Sequence, residues 1–490
     1  MFPMAILHAT ALAALMTGPT VRPPMAVGRA VRASVVASEL FSGLDIDQDA
    51  VNTAMQSVAD REEKAEAEER RNEARAAWAE VEAAVPAMET SAAPVLTLYR
   101  DTNGWCPFCE RVWLQLRIKG IPFREELIDL RDKPDWYTEM VPTKLVPAIK
   151  YDSDGLVAWE SEVLMRQIEE RFPETPPMLP EEGTAANATA DHMMKRCGEV
   201  LMAGVRVSYP NASATDAERA AQQVKFEEEL TALDAEVAAN GGPYLAGEAV
   251  SVVDAMYMPM MERWAVQLPL TTGIHLRPDG DASAKYPALA RWLDTMETEV
   301  PAYRDVVKGD AYSWSALVGT FQRMFSGNTT DPAKLAAAAA TIDKADRAAN
   351  AELRSLASME LHAHSAENRM AAARALVNNR VNVLADAVNE APKSQTQLRR
   401  LEGEDAEAVD AGLREVCRRL LDLPAESLVP EYATSPEQAA AVARGSKYVA
   451  SRICVPRDMG APAADALRTA LLRQASEAEA YAWKASGGLL

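Results

Sequence analysis

Cysteine is scarce in this 490-residue chain: Cys106, Cys109, Cys197, Cys417 and Cys454 are all there are. So few thiols, odd in number, do not make a disulfide scaffold. Only Cys106 and Cys109 are close, as a Cys-x-x-Cys. A structural zinc site needs two more ligands. The sole other pair at short spacing, His362 and His364, flanks Ala363 in a segment that reads as helix, where such residues point apart. No metal is expected. Basic charge is also in deficit, with 51 Lys and Arg against 72 Asp and Glu and a formal net charge of -21. Sequence-independent nucleic-acid binding needs cations against phosphate, so no nucleic-acid partner is expected; the acidity reads as solubility. Long apolar runs are missing too. The stretch from Met4 to Met16 is too short for a membrane span and suits the core of a signal peptide. An integral membrane protein is not expected.

The N-terminus lacks acid: no Asp or Glu precedes Glu39, while Arg22, Arg29 and Arg32 stand among small residues. That is transit-peptide composition. An apolar segment followed by a transit-like one resembles the two-part presequence of proteins sent to algal plastids with extra membranes, and residues 1–40 are read as such. A secretory signal and a mitochondrial presequence are the rivals. What is present is ordinary for globular protein, 48% hydrophobic and 25% charged residues. Residues 41–92 are rich in Glu, Arg and Ala and read as a charged helical segment or linker without a heptad seam.

The texture changes at Pro94. Val95–Tyr99 is a short β-prone run, followed by the polar loop Asp101–Gly104. A helix opens near Cys106, with Val112, Trp113 and Leu116 spaced for one buried face, and Gly120-Ile121-Pro122 ends it. Phe123–Ile128 is a second strand, which makes a parallel β-α-β unit. Val146–Ile149 leads into a third strand, Asp152–Gly155 into a hairpin turn and Leu156–Trp159 into a fourth. Ser161 can cap a helix carrying Leu164, Ile168 and Phe172. Strand order and helix placement are those of an α/β thioredoxin-like domain over 93–180. Pro176–Pro180 supplies a linker, and helical patterns fill 185–325, where Ser251-Val252-Val253-Asp254 is a capping box. Residues 331–490 are again Ala-, Glu- and Arg-rich and read as an all-α extension of unknown role.

Trp105-Cys106-Pro107-Phe108-Cys109 carries the chemistry. Between a strand and a helix it sets the Cys106 sulfur at the helix N-terminus, where free N–H groups and the dipole favour a thiolate. Pro107 suits the first turn because its missing N–H is not needed there. Cys109, one turn later, is placed to attack a mixed disulfide at Cys106. The bland alternative is two buried thiols at a helix start.

The stretch CPFCERVWLQLRIKGIPFREELIDLRDKPDWYTEMVPTKLVPAIKYDSDGLVAWESEVLMRQIEERFP resembles the N-terminal domain of glutathione transferases of the lambda, omega and dehydroascorbate-reductase classes. PYLAGEAVSVVDAMYMPMMERW and YPALARWLDTMETEVPAY resemble helices of the same family's all-α C-terminal domain. The resemblance spans residues 94–325. It implies glutathione as co-substrate and Cys106 as the residue that forms a mixed disulfide with it. It implies a cis bond before Pro147 that turns the backbone of Val146 toward the glutathione cysteinyl amide. Glu160 and Ser161 would hold the γ-glutamyl end, Lys133 would reach the glycyl end, and Phe108 would line the edge. Cys109 stands where many relatives carry Ala or Ser, so monothiol and dithiol mechanisms both stay open. The implied activity is glutathione-dependent thiol transfer or reduction, dehydroascorbate reduction included. Ordinary conjugation is less favoured, because a cysteine stands where that reaction uses a hydroxyl. The alternative is a non-catalytic docking protein on the same fold. A second-substrate pocket is expected near Tyr209, Met260 and Trp264. A homodimer, or a protein partner on the extension, is compatible with the pattern. In the extension, Cys454 beside Val455-Pro456-Arg457-Asp458 reads as a loop between helices with a buried thiol.

Overall fold

A computed structural model of the chain describes residues 76–86, 92–208, 214–278, 280, 283–326, 330–388, 404–424 and 435–487. The presequence and most of the charged segment lie outside the described residues, as does Tyr209. The chain divides into two compact units, residues 14–86 and the rest. In the first, a short helix runs over residues 76–84.

The second unit opens with β1 (Leu96–Asp101), α1 (Pro107–Ile118) and β2 (Phe123–Ile128). There follow α2 (Asp135–Met140), β3 (Ala148–Tyr151), β4 (Val157–Trp159) and α3 (Ser161–Arg171). The sheet order is β2-β1-β3-β4, with β1 parallel to β2 and antiparallel to β3, and β3 antiparallel to β4. This is the thioredoxin-like arrangement expected. Alternation along β1 sends Leu96 and Leu98 to one core while Tyr99 joins Ile128, Tyr137, Val141 and Ala148 in a second cluster. Tyr99 is thus strand structure.

Helix α1 buries more than one face. Val112, Trp113 and Leu116 are buried as expected, but so are Glu110, Arg111, Leu114 and Gln115. The cause is tertiary: α1 packs against α3 and also against the helix Val252–Thr271 of the helical part. Each fully buried Leu or Val contributes about 1.5–3 kcal/mol. The buried polar groups find partners, Arg111 Nε donating to Met256 O at 2.9 Å and Gln115 Nε2 to Met165 O at 3.0 Å.

The helical part comprises α4 (Ala185–Ser208), α5 (Asp216–Asn240), α6 (Val252–Thr271) and α7 (Pro287–Glu299). A π-helical turn (Ala302–Val307) and α8 (Ala311–Ser326) complete it. The capping box at Ser251 forms, and buried Asp254 accepts from Ser251 N, Leu245 N and Trp292 Nε1 at 2.8, 2.9 and 2.8 Å. Met260 and Trp264, expected near a pocket, are buried and line a small cavity together with Arg111, Cys197 and Met256, with Trp264 edge-on to Phe226. A Cβ on Gly204 would stand 2.2 Å from the Trp264 ring, so only glycine lets α4 approach α6 there.

The extension is all-α: α9 (Pro332–Ser358), α10 (Ala366–Val388), α11 (Glu404–Leu420), α12 (Pro436–Arg452) and α13 (Ala461–Ala485). Helix α13 packs on each of the other four and on the π-helical turn. Its alanines from Ala461 to Ala478 are buried, as are Leu467 and Leu471. His362 sits in a short 3-10 turn, Leu361–Ala363, rather than in a helix, and His364 follows with Nε2 3.0 Å from Thr469 Oγ1.

Candidate active site

Cys106 occupies the N-cap position of α1, with Pro107 as the first helical residue. Extended backbone at Cys106 followed by proline is what a helix start selects. Cys106 is half-buried and Cys109 is 1% exposed. The Cys109 thiol donates to the Cys106 sulfur, and this holds the Cys106 pKa below the ordinary thiol value, with the backbone N–H groups of Cys109 and Phe108 adding to it. Burial and the nearby Asp101 charge oppose that shift without reversing it. Cys109 goes the other way: burial, then the hydrogen bond it gives to Cys106, push its pKa well up. The pair is therefore polarised, one half-buried thiolate served by one buried thiol. All five cysteines are free thiols.

Asp101, read from sequence as the start of a polar loop, is the buried last residue of β1. Its Oδ2 accepts from Trp105 N at 2.8 Å. One of its carboxylate oxygens and the two sulfurs lie within 4.8 Å of one another. Its distance of five residues from Cys106 was the available signal, and nothing in the pattern said that it was buried.

The other expected residues fall around α2, β3 and α3. Lys133 Nζ donates to Lys144 O at 2.9 Å; burial lowers its pKa while the Cys106 charge raises it, so it lies within electrostatic reach of the thiolate. Tyr137 donates to Leu145 O at 2.6 Å and anchors the loop into the cis Val146–Pro147 bond. Ser161 is buried, but it is the first residue of α3 and not its cap. The N-cap is Glu160, which is exposed and has φ +70. A non-glycine residue in that region costs about 1–3 kcal/mol and persists where surrounding structure dictates it. Phe108 is exposed, with the Arg111 guanidinium 5.1 Å from its ring centroid.

A buried charge network holds the loop before Cys106. Arg263 of α6 donates to Gly104 O at 3.5 Å and to Trp105 O at 3.2 Å, and pairs with Glu110 at 2.7 Å. Neighbouring Glu262 accepts from Tyr303 Oη, Gly309 N and Trp314 Nε1 at 2.7, 2.9 and 2.7 Å. Burial pushes Glu110 from 4.5 up to about 8, despite Arg263. A raised carboxyl holds a proton in the native state that the unfolded chain releases, so its contribution to stability falls as pH rises from about 4.5 to about 8. Glu110→Gln is expected to flatten that decline, by up to about 1.4 kcal/mol per pH unit, in urea unfolding across that range. An unchanged slope would contradict the assignment.

The extension reaches the same loop. Trp105 Nε1 donates to Cys454 Sγ at 3.3 Å, and a Cβ on Gly104 (φ +67) would meet Pro456 at 3.1 Å. Cys454 lies in the loop between α12 and α13, as expected of a loop, but half-buried beside the segment that leads into Cys106. No pattern in the sequence linked positions 105 and 454.

The family model for the glutathione S-transferase N-terminal domain matches residues 105–171, and that for the C-terminal domain matches residues 216–295. The chain is 30% identical over 168 residues to a probable glutathione S-transferase DHAR1, cytosolic, of Oryza sativa subsp. japonica, covering 34% of this chain and 71% of that protein. The chain belongs to the glutathione S-transferase family. Zea mays Protein IN2-1 is 32% identical over 202 residues, 41% of this chain and 75% of its own. A probable glutathione S-transferase DHAR2, chloroplastic, of Oryza sativa subsp. japonica is 26% identical over 235 residues, 48% of this chain and 79% of that one. This transferase carries α9–α13 beyond the region matched by the two family models.

Proposed function

We propose that this glutathione S-transferase is a glutathione-dependent thiol transferase and reductase with Cys106 as nucleophile. The carrying observation is the half-buried Cys106 at the α1 N-cap with a lowered pKa, in a chain of this family. The Cys106 thiolate attacks the glutathionyl sulfur of a mixed disulfide. One S–S bond breaks, a Cys106–glutathione disulfide forms and the partner leaves as a thiolate. A second glutathione, or Cys109 followed by glutathione, restores the thiolate and yields glutathione disulfide. The Val146 backbone, Glu160, Ser161, Lys133 and Phe108 are assigned to glutathione binding. A carboxylate at Ser161, in the first turn of α3, suits the helix dipole.

Dehydroascorbate is the second acceptor proposed, in line with the DHAR names of relatives. The reading includes a plastid address in residues 1–40, supported by the acid-free composition before Glu39 and by a relative named chloroplastic. A fluorescent fusion that stays in the cytosol would overturn that part.

The test is turnover of a small glutathione mixed disulfide, and separately of dehydroascorbate, by the full chain with glutathione. The full chain is needed because the extension packs on the loop that carries Cys106. Glutathione-dependent turnover of either supports the reading. Turnover of neither would move weight to a docking role for the same fold.

A further inference from the structure

Asp101 is a buried carboxylate that the transfer at Cys106 leaves unused. Its Oδ2 holds the Trp105 N–H, while its Oδ1 is buried and has no hydrogen-bond partner among the described residues. Leaving a buried acceptor unsatisfied costs about 1–3 kcal/mol, so such an atom calls for a donor. The donors at hand are thiols: an Asp101 carboxylate oxygen and the Cys106 and Cys109 sulfurs lie within 4.8 Å of one another. In the resting pair the Cys109 thiol donates to the Cys106 thiolate. Once Cys106 is bonded to glutathione its sulfur is no longer an anion, and the Cys109 proton loses that acceptor.

We propose that Asp101 then takes the Cys109 proton, so that Cys109 attacks the Cys106 sulfur and expels glutathione. This rests on the nucleophile assignment made for Cys106. The step balances. The Cys106–glutathione S–S bond breaks and a Cys106–Cys109 S–S bond forms. Glutathione leaves as a thiolate, and the Cys109 proton passes to Asp101 and on to the leaving thiolate or solvent. Two further glutathiones reduce the new disulfide and leave as glutathione disulfide. A buried thiol with a raised pKa needs such an acceptor, because almost none of it ionises unaided near neutral pH. The other titratable groups within reach are Glu110 with Arg263, which pair with each other, and Lys133 and Tyr137 from the loop and helix facing the cysteines. Tyr137 donates to Leu145 O and Lys133 to Lys144 O, so neither offers the thiol a free acceptor.

Reduced full-length protein is mixed with glutathione disulfide, quenched with acid at intervals and weighed intact by mass spectrometry. Wild type is expected to pass from the glutathione adduct to the intramolecular disulfide. In Asp101→Asn, which keeps an oxygen for Trp105 N, the adduct should accumulate, with the second step slowed about a hundredfold and recovering as pH rises. Alkylation of Cys106 should run at the wild-type rate or faster, which shows the site intact. Asp101→Glu, which keeps a carboxylate, should lose far less. An Asn variant that closes the disulfide at the wild-type rate would overturn the role of Asp101. A wild-type adduct that persists would overturn resolution by Cys109 while leaving Cys106 as nucleophile. Absence of any adduct in wild type would sink both readings.

Discussion

Cys106→Ser is expected to lower glutathione-dependent turnover by at least about a thousandfold, because a serine at the same helix start is not ionised and cannot form the mixed disulfide. The effect should appear in kcat, with little change in the fold. Alkylation by a small iodoacetamide reports the same group in wild type. The Cys106 pKa is lowered, so its thiolate, and with it the alkylation rate, should persist to lower pH than for an ordinary cysteine. The sign follows from the causes: the Cys109 thiol and the Cys109 and Phe108 N–H groups stabilise the anion more than burial penalises it. Cys109→Ser keeps a donor of similar size, so it should preserve most of the downward shift while removing resolution. A Cys106 that alkylates only as an unperturbed thiol would contradict the electrostatic account of the site.

Arg468→Met is expected to destabilise the protein by about 3–5 kcal/mol, since it strands a buried carboxylate. Arg468 is fully buried in α13 and pairs with Asp310, itself 9% exposed. It also donates to Ile453 O at 2.8 Å and Ala450 O at 3.3 Å. Those bonds fix the end of α12 and the loop that carries Cys454 and Pro456 against Gly104 and Trp105. Ser313 Oγ accepts from Val455 N at 3.1 Å on the same loop. At its far end a Cβ on Gly460 would lie 1.7 Å from Asp305 O, so the chain passes the π-helical turn only as glycine. Denaturant unfolding should show the loss, and hydrogen exchange should rise in residues 453–460 and 101–106 together. Pairing the change with Asp310→Asn should recover part of the stability, because the stranded charge is removed. Faster exchange in 453–460 alone would mean that the extension does not hold the loop before Cys106.

The elements around the site were legible because they are written in short-range terms. Val95–Tyr99 and Phe123–Ile128 alternate or run as strands do, Gly120-Ile121-Pro122 stops a helix, and Asp154-Gly155 turns a hairpin. The Cys-Pro-Phe-Cys at a strand–helix junction carries its own chemistry, since a helix start stabilises an anion wherever it is folded. Places where expectation and structure part have a common cause. Glu110, Arg111 and Gln115 look like the wet face of α1, yet α6 covers them and their partners come from sequence-distant carbonyls and side chains.

By itself, then, the sequence determined the thioredoxin-like and helical parts and the place of the candidate cysteine at an anion-stabilising helix start, because each depends on neighbours within a few residues or on one periodic face. Only the tertiary structure decided that Asp101 is buried beside both thiols with one oxygen unpaired, that Arg263 holds the carbonyls of Gly104 and Trp105, and that Cys454 touches Trp105. Those contacts join residues up to 349 positions apart. Burial and pairing at such separations follow from how the helices pack, and the local pattern around each residue carries no trace of them.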